Sequence, residues 1–417
     1  MDNVTSTEPH REIAFDFYRG LAILSVLALH AGATNAHLSE YFGRFLPYFG
    51  NLQAGMELFF VISGYVIFGS YRRTPRLGAF YRKRIFRLLP LYYLAVILSI
   101  AIYLALKFFL SDFAGFWKNS IRAESFTWQN VFVHIFLLQG VDATAHEYTF
   151  LDGSWSLAAE VYYYLLFPAL AYLLDLTRTG FILVFLAAAA LEYYQIVHPF
   201  FPSASTLNFY SIPNLLVDFL LGALLYQVVH RDRERAGNDR TILTAGGIAF
   251  FGLVTYVNYR FSGHALENVS LISLIAALVV LSLRLSAVYT GAFGLFILIA
   301  LSEFKYQLIG FNDFLGIAWF LIIYSTRQFI NSRQNTWTIR SVTDIGVQSY
   351  SFYLLHILLM WPISYAVYSF SDRTPFAPLY LLNLTLLFFS TYYLAKHVHR
   401  LDQYFIAMGR AARQAAS

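Results

Sequence analysis

Cysteine is absent from this chain of 417 residues, which excludes disulfide bonds, thiolate metal ligands and a cysteine nucleophile. Charged side chains are scarce as well, at 13% of the residues against roughly 25% in an ordinary soluble domain. Hydrophobic residues make up 58%. This composition excludes a soluble globular protein and indicates a membrane protein.

Apolar runs of about 20 residues recur from one end of the chain to the other, and such runs predict membrane-spanning helices. A β-barrel would show shorter segments of alternating hydrophobicity instead. The predicted fold class is therefore all-α and polytopic, with about twelve spans, or ten if two of the weaker late segments do not cross the membrane. We expect the spans at residues 14–34, 52–70, 86–108, 154–174, 180–197, 210–229, 242–258, 267–284, 287–303, 313–329, 345–368 and 376–396.

The distribution of basic residues predicts the topology. If the N-terminus is cytoplasmic and all twelve segments cross, 22 of the 29 lysines and arginines fall on the cytoplasmic side, as the positive-inside rule requires. Both termini are then cytoplasmic. We expect a leader at 1–13, a single transmembrane domain at 14–396 and a tail at 397–417. The net charge of +5 is a topology signal, and nothing in the sequence indicates a nucleic-acid partner.

Two ionisable residues lie on the first span. Arg19 and His30 are eleven residues apart, which on a helix is three turns plus about 20°, so they share one face about 16 Å apart. Ionisable groups within the membrane are costly and mark function by default. Alternatively, Arg19 snorkels to the interface and His30 makes a buried hydrogen bond to a neighbouring helix.

The second and fourth spans each carry a glutamate. Glu57 lies in an apolar helix and needs a partner there, whereas the nearby Ser63 belongs to a Ser-Gly pair that favours close helix packing over a serine nucleophile. Trp155 suits an interface anchor and Ser154 or Ser156 an N-cap, but Glu160 lies about a turn and a half inside the span.

A basic cluster precedes the third span. Arg84 and Arg87 are three residues apart on one helical face, a spacing that suits phosphate groups, although a topology determinant alone would explain the number of basic residues. Late in the chain, His356 is a second histidine within a predicted span, one turn after Tyr353.

The expected depths of these side chains divide them into two levels. His30 lies roughly 24 Å from the cytoplasmic edge of a ~30 Å hydrocarbon core, and Glu57 and Glu160 each lie about 7–8 Å below the outer edge. We therefore expect these three groups at one level in the outer third of the membrane. Three arginines are expected at or near the inner edge, namely Arg19, Arg84 and Arg87.

With these motifs in place, the sequence resembles the acyltransferase-3 family, bacterial integral-membrane acyltransferases that modify envelope polysaccharides, lipid-linked sugars and similar hydroxyl-bearing acceptors. Many members have fewer spans and an additional soluble C-terminal domain. The resemblance covers essentially the whole chain. It rests on Arg19-x10-His30, Glu57-Leu-Phe-Phe-Val-Ile-Ser63-Gly64, Arg84-x2-Arg87 with Leu-Leu-Pro90, Trp155-Ser156-Leu-x2-Glu160 and Ser349-Tyr-x2-Tyr353-x2-His356.

The resemblance implies an enzyme that transfers groups other than amino-acyl groups. Its implied donor is acyl-CoA, usually acetyl-CoA, used from the cytoplasm as a co-substrate, with no permanently bound cofactor. The implied acceptor is a carbohydrate or lipid-linked molecule, and the implied location is the inner membrane, crossed many times. His30 is implied as the essential residue, with Glu160 supporting it and Arg19, Arg84 and Arg87 serving the donor.

The chemistry of the residues fits that implication. His30, with an unperturbed pKa near 6.5, suits a general base that takes a proton from an acceptor hydroxyl. Glu160 or Glu57 would orient its ring, as the acid does in a catalytic triad. Direct attack on the thioester and an acyl-histidine relay both fit, and no spacing indicates a metal site. We expect supporting roles for Ser63, Trp155, Ser156, Tyr353 and His356.

A second class of function is a proton-coupled secondary transporter or a lipid flippase. Histidines and glutamates within the membrane also build proton relays, and a basic cytoplasmic cluster also binds anionic lipid headgroups. A transporter would more often show an internal repeat in its hydropathy, which this sequence lacks. The acyltransferase is therefore the favoured hypothesis.

Overall fold

The structure is a computed structural model of the chain. It describes residues 12–33, 51–73, 76–109, 128–139, 151, 153–176, 178–198, 212–230, 236–282, 286–301, 311–369 and 376–414. The regular structure of these residues is helical throughout, without a β-strand among them, so the predicted all-α class is confirmed.

Fourteen α-helices are present in the described part of the chain, together with a 3-10 turn at Asn51–Gln53. In chain order they are α1 (Ile13–Ala33), α2 (Ala54–Arg73), α3 (Leu77–Phe109), α4 (Trp128–Ile135), α5 (Trp155–Leu176), α6 (Arg178–Val197), α7 (Ile212–Val229), α8 (Ala236–Phe261), α9 (Ala265–Ser282), α10 (Ala287–Leu301), α11 (Phe311–Ser332), α12 (Trp337–Val347), α13 (Ser349–Ser369) and α14 (Phe376–Gln414).

Each of the twelve predicted spans overlaps at least one of these helices. Five helices, α1, α2, α3, α13 and α14, are long and apolar enough to cross a membrane, and four shorter apolar helices lie within α6, α7, α9 and α10. Large apolar side chains such as Leu104, Leu381 and Phe389 are exposed on the bundle, as expected where lipid covers the surface. The number of twelve crossings and the position of the termini stay predictions.

Several predicted boundaries were wrong. α3 begins at Leu77 rather than at residue 86, which places the basic cluster on the helix itself. The span predicted at 345–368 is two helices that meet at Gln348, because the preceding helix α12 packs along α1 as a separate amphipathic element. α14 continues to Gln414, beyond the predicted end at 396.

A short helix, α4 (Trp128–Ile135), lies between α3 and α5 in the chain. Two tyrosine hydroxyls donate hydrogen bonds to free carbonyls at its carboxyl end. Tyr93 donates to the carbonyl of Ile135 at 2.7 Å, and Tyr162 donates to that of Leu137. Leu137 itself adopts a left-handed backbone with φ 55°, which turns the chain away from the helix.

α2 lies at the centre of the bundle. Within its apolar stretch 78% of the residues are buried inside the protein, against 28% in α14. α2 packs most extensively against α7, and two glycines permit the approach. A Cβ added at Gly64 would lie 1.9 Å from the carbonyl oxygen of Phe219, and one added at Gly222 would lie 1.9 Å from that of Val61. The predicted close packing at Ser63-Gly64 is confirmed.

Five helices, α1, α2, α3, α5 and α13, contact one another and enclose the interior space of the bundle. Along α1, the residues facing this space follow helical spacing, from Arg19 through Ile23 and Val26 to His30. The helices α8, α9, α10 and α11 follow one another in space, each in contact with the next, and α11 also packs against α1, α2 and α7. The sequence thus places its ionisable motifs on the central helices.

Candidate active site

Two histidines from distant parts of the chain meet inside the bundle. Nδ1 of His30, on α1, lies 3.0 Å from Nε2 of His356, on α13, so one ring donates a hydrogen bond to the other. The rings are nearly parallel, at 13°. His356 is completely buried, whereas His30 lines a cavity. His356 therefore holds the His30 ring in a fixed orientation.

The turn before α5 lies directly against this pair. Gly153 has a φ of 76°, a left-handed conformation, and a Cβ added there would lie 3.8 Å from Cε1 of His30 and 3.3 Å from the hydroxyl of Tyr353. The Tyr353 hydroxyl donates to the Gly153 carbonyl and lies 2.7 Å from the Ser156 hydroxyl. The aromatic ring of Tyr353 is thereby fixed beside His30.

The cavity that contains His30, here called the histidine cavity, has about 640 Å³ of space. Its polar lining includes Glu57 of α2, which is 2% exposed, and Trp155 at the start of α5. Its remaining lining residues are Val26, Leu29, Gln53, Met56, Gly153, Leu215, Asn312 and Tyr353.

A second cavity, here called the arginine cavity, adjoins the first and has about 690 Å³ of space. Arg19 and Arg87 line it, together with one carboxylate, that of Glu160. Asp16 forms an ion pair with Arg19 at 3.1 Å. Polar side chains also come from Ser63, Ser156, Ser349, Tyr350 and Tyr353, and apolar lining from Ala22, Ile23, Val26, Met56, Phe59, Leu88 and Leu157.

Arg84 lies behind the wall of the arginine cavity. Its guanidinium is packed over the rings of Phe80 and Tyr164, 5.4 and 5.2 Å from their centroids, and the residue is 4% exposed. Tyr164 in turn donates a hydrogen bond to Glu160. A buried cation on an aromatic face is worth about 2 kcal/mol. Arg84 thus supports the residues that hold Glu160.

The structure brings most of the predicted site residues to these two cavities. His30, Glu57 and Trp155 line the histidine cavity, Tyr353 lines both, and His356 bonds to His30. The residues that line the arginine cavity are Arg19, Arg87, Ser63, Ser156 and Glu160.

Two placements differ from expectation. Glu160 was expected at the level of His30, but it lies with the arginines, because α5 begins beside His30 and carries Glu160 more than one turn further along. Arg84 was expected to serve the donor together with Arg87, from the same face of the helix, but it is not among the residues that line the arginine cavity. It is turned instead toward Phe80 and Tyr164.

Sequence reasoning missed several residues of the site. Asp16 and Tyr164 had a signal, since they lie three and four residues from Arg19 and Glu160 on the same helix faces. Gly153 had the weaker signal of an Asp-Gly turn before a helix. Asn312 had none, because only the tertiary structure brings α11 to the histidine cavity.

This bundle of apolar helices around buried ionisable cavities defines a polytopic membrane protein. The family model described as an acyltransferase domain, that of the acyltransferase-3 family, matches residues 12–396, nearly the whole chain. The chain therefore belongs to the acyltransferase-3 family, and its function is of the acyltransferase type. No curated protein and no solved structure matches it significantly.

Proposed function

We propose that this protein is an integral-membrane O-acyltransferase that moves an acyl group, acetyl in the first instance, from acyl-CoA to a hydroxyl of a glycan or lipid-linked sugar. The observation that carries the proposal is the succession of two adjoining cavities along α1, one with two arginines and the next with His30. An anionic donor and a base would thus occupy separate places on one path along α1, which runs about 16 Å from Arg19 to His30.

The arginine cavity suits the donor. Coenzyme A carries a 3′-phosphate and a pyrophosphate, and arginine binds such groups through its planar fork. Arg19 and Arg87 present that fork to the cavity, while Arg84 acts as a positioning residue behind Tyr164 and Glu160. The apolar side chains between the arginines and His30 suit the uncharged pantetheine arm and the thioester.

His30 is the proposed general base. For its Nε2 to accept a proton, the neutral ring must carry its own proton on Nδ1 and donate it to Nε2 of His356. His356 must then be neutral with its proton on Nδ1. In this arrangement His356 takes the orienting role that the sequence assigned to a glutamate, and Glu57, in the same cavity, offers a negative charge to the imidazolium that forms.

The transfer balances without an external reactant. The acceptor oxygen attacks the thioester carbonyl as its proton passes to His30 Nε2. The carbon–sulfur bond breaks, and the departing CoA thiolate takes the proton from the imidazolium. In a relay, His30 would first carry the acyl group and then pass it to the acceptor, with the same products.

The proposed membrane arrangement is twelve spans with both termini cytoplasmic, in the inner membrane. The support is the charge distribution, which places the basic cluster before and within the start of α3 on the cytoplasmic side. The arginine cavity would then open toward the cytoplasmic pool of acyl-CoA, and the histidine cavity would lie toward the outer side.

The test uses purified protein in lipid nanodiscs, acetyl-CoA labelled in the acetyl group, and an envelope fraction from the producing cell as acceptor. Because the chain has no cysteine, a thiol reagent reports released CoA without background from the protein. We expect CoA release together with transfer of the label to the acceptor. Mild alkali should release the labelled acetyl group from the acceptor, because it hydrolyses an ester. Absence of both, with folded protein, would contradict the proposal.

A further inference from the structure

Few residues line the passage between the two cavities. Three side chains line both cavities, Val26 of α1, Met56 of α2 and Tyr353 of α13. They come from three different helices and lie between the arginines on one side and His30 on the other. These three residues, here called the constriction, form the boundary that any group must pass to reach His30 from the arginine cavity.

The three members differ in their freedom to move. Tyr353 is fixed by its hydrogen bonds to the Gly153 carbonyl and the Ser156 hydroxyl. Val26 is β-branched, 4% exposed and packed on a helix, so its rotamer is also restricted. Met56 is unbranched, partly buried and the most adaptable of the three. The width of the constriction therefore depends chiefly on Met56.

We infer that the constriction sets the length of the acyl group that the protein transfers, and that it restricts the donor to short acyl groups. The inference rests on the proposed function. The thioester carbonyl must come within reach of an acceptor held by His30, so the acyl group attached to that carbonyl has to enter the space bounded by Val26, Met56 and Tyr353. An acetyl group is no larger than one of these side chains, whereas a longer chain would have to displace Met56.

The experiment measures CoA release and ester formation from acetyl-, butyryl-, hexanoyl- and octanoyl-CoA with the envelope fraction as acceptor. We expect wild type to prefer acetyl-CoA. In Met56→Ala, the ratio of the hexanoyl rate to the acetyl rate should rise at least tenfold, because the mobile side chain is shortened. Val26→Ala should raise the ratio in the same direction, which keeps the test informative if Met56→Ala does not fold.

Two control variants make the result specific. Met56→Leu conserves the volume and should keep the ratio within threefold of wild type. Ile23→Ala removes more volume than Val26→Ala but lines the arginine cavity alone, so it should change the rates for all four donors alike.

The outcomes separate this inference from the proposed function. If wild type uses none of the acyl-CoA donors, the proposed function fails and the inference fails with it. If wild type transfers acyl groups but Met56→Ala and Val26→Ala keep its chain-length preference, the inference alone is overturned. An equal shift in Ile23→Ala would also overturn it, since the selectivity would then lie in the arginine cavity.

Discussion

His30 and His356 are 326 residues apart in the chain, yet their ring nitrogens lie 3.0 Å from each other between α1 and α13. One proton must lie between the two nitrogens. The tautomer of each ring therefore depends on that of the other. This relationship gives His356 a role that can be tested separately from that of His30.

Replacing His356 should impair orientation of the base without weakening the donor site. We expect His356→Ala to lower kcat on the order of 10–100-fold, the loss typical of removing a partner that orients a histidine, while the KM for acyl-CoA stays unchanged. His356→Gln should recover part of the rate, because its amide oxygen can accept the same hydrogen bond. Steady-state kinetics would check this, and a rise in KM with constant kcat would contradict the orienting role.

The arginines should divide into those that bind the donor and those that set the topology. We expect Arg87→Ala to weaken acyl-CoA binding by about 1.5–3 kcal/mol, the net worth of a charged hydrogen bond. Arg87→Lys should also bind more weakly, because lysine keeps the charge but loses the fork. Arg72→Ala is the matched control, since Arg72 is exposed at the end of α2.

Calorimetric titration of acyl-CoA into the purified variants would measure these affinities. Dephospho-CoA adds a second comparison, because an arginine that binds the 3′-phosphate should lose its effect with that ligand. If Arg87→Lys and Arg72→Ala both bind like wild type, the basic cluster is a topology signal and does not form part of a donor site.

The close crossing of α2 and α7 predicts that Gly→Ala substitutions differ sharply in their effect on stability. Gly64→Ala should cost more than the ~1–3 kcal/mol typical of overpacking, because its Cβ would lie 1.9 Å from a backbone oxygen that cannot turn aside. Gly252→Ala is the control within helix α8, where a Cβ meets nothing within 4 Å. It should be neutral or stabilising by about 0.5–1 kcal/mol. Melting temperatures in detergent would compare them, and equal values would refute the close crossing.

The proposed topology makes a prediction for the late helices. A reporter fused after Arg340, between α11 and α13, should read cytoplasmic, and so should one at the C-terminus. Both positions lie on the cytoplasmic side when an even number of segments crosses before them and the N-terminus is inside. Paired alkaline-phosphatase and fluorescent-protein fusions would report the side. An external reading at either position would overturn the even number of spans.

The sequence predicted the helices well because long apolar runs leave little alternative to a spanning helix. It also placed Arg19 and His30 on one face, since helical periodicity alone decides that. It missed α12 because that helix is amphipathic rather than uniformly apolar, with Ile339 and Gly346 buried on one side.

The expected depths of the site residues along the membrane normal did not predict which of them are neighbours. They placed Glu160 at the level of His30, whereas the helix that carries Glu160 already begins at the histidine cavity and Glu160 lines the arginine cavity. The bond from His30 to His356 depends on the packing of helices at opposite ends of the chain, which no local pattern encodes. The rotation that turns Arg84 toward Tyr164 depends on the same tertiary packing.

The central claim is that His30 removes the proton from the acceptor hydroxyl, and the most direct measurement is the single-turnover rate of acyl transfer by purified His30→Ala. Acyl-CoA binding, measured on the same sample, reports whether the donor site is intact. We predict near-normal binding together with a loss of transfer of at least about 10²-fold, the usual scale for removing a general base. A purified His30→Ala protein that transfers acyl groups at close to the wild-type rate would contradict the account.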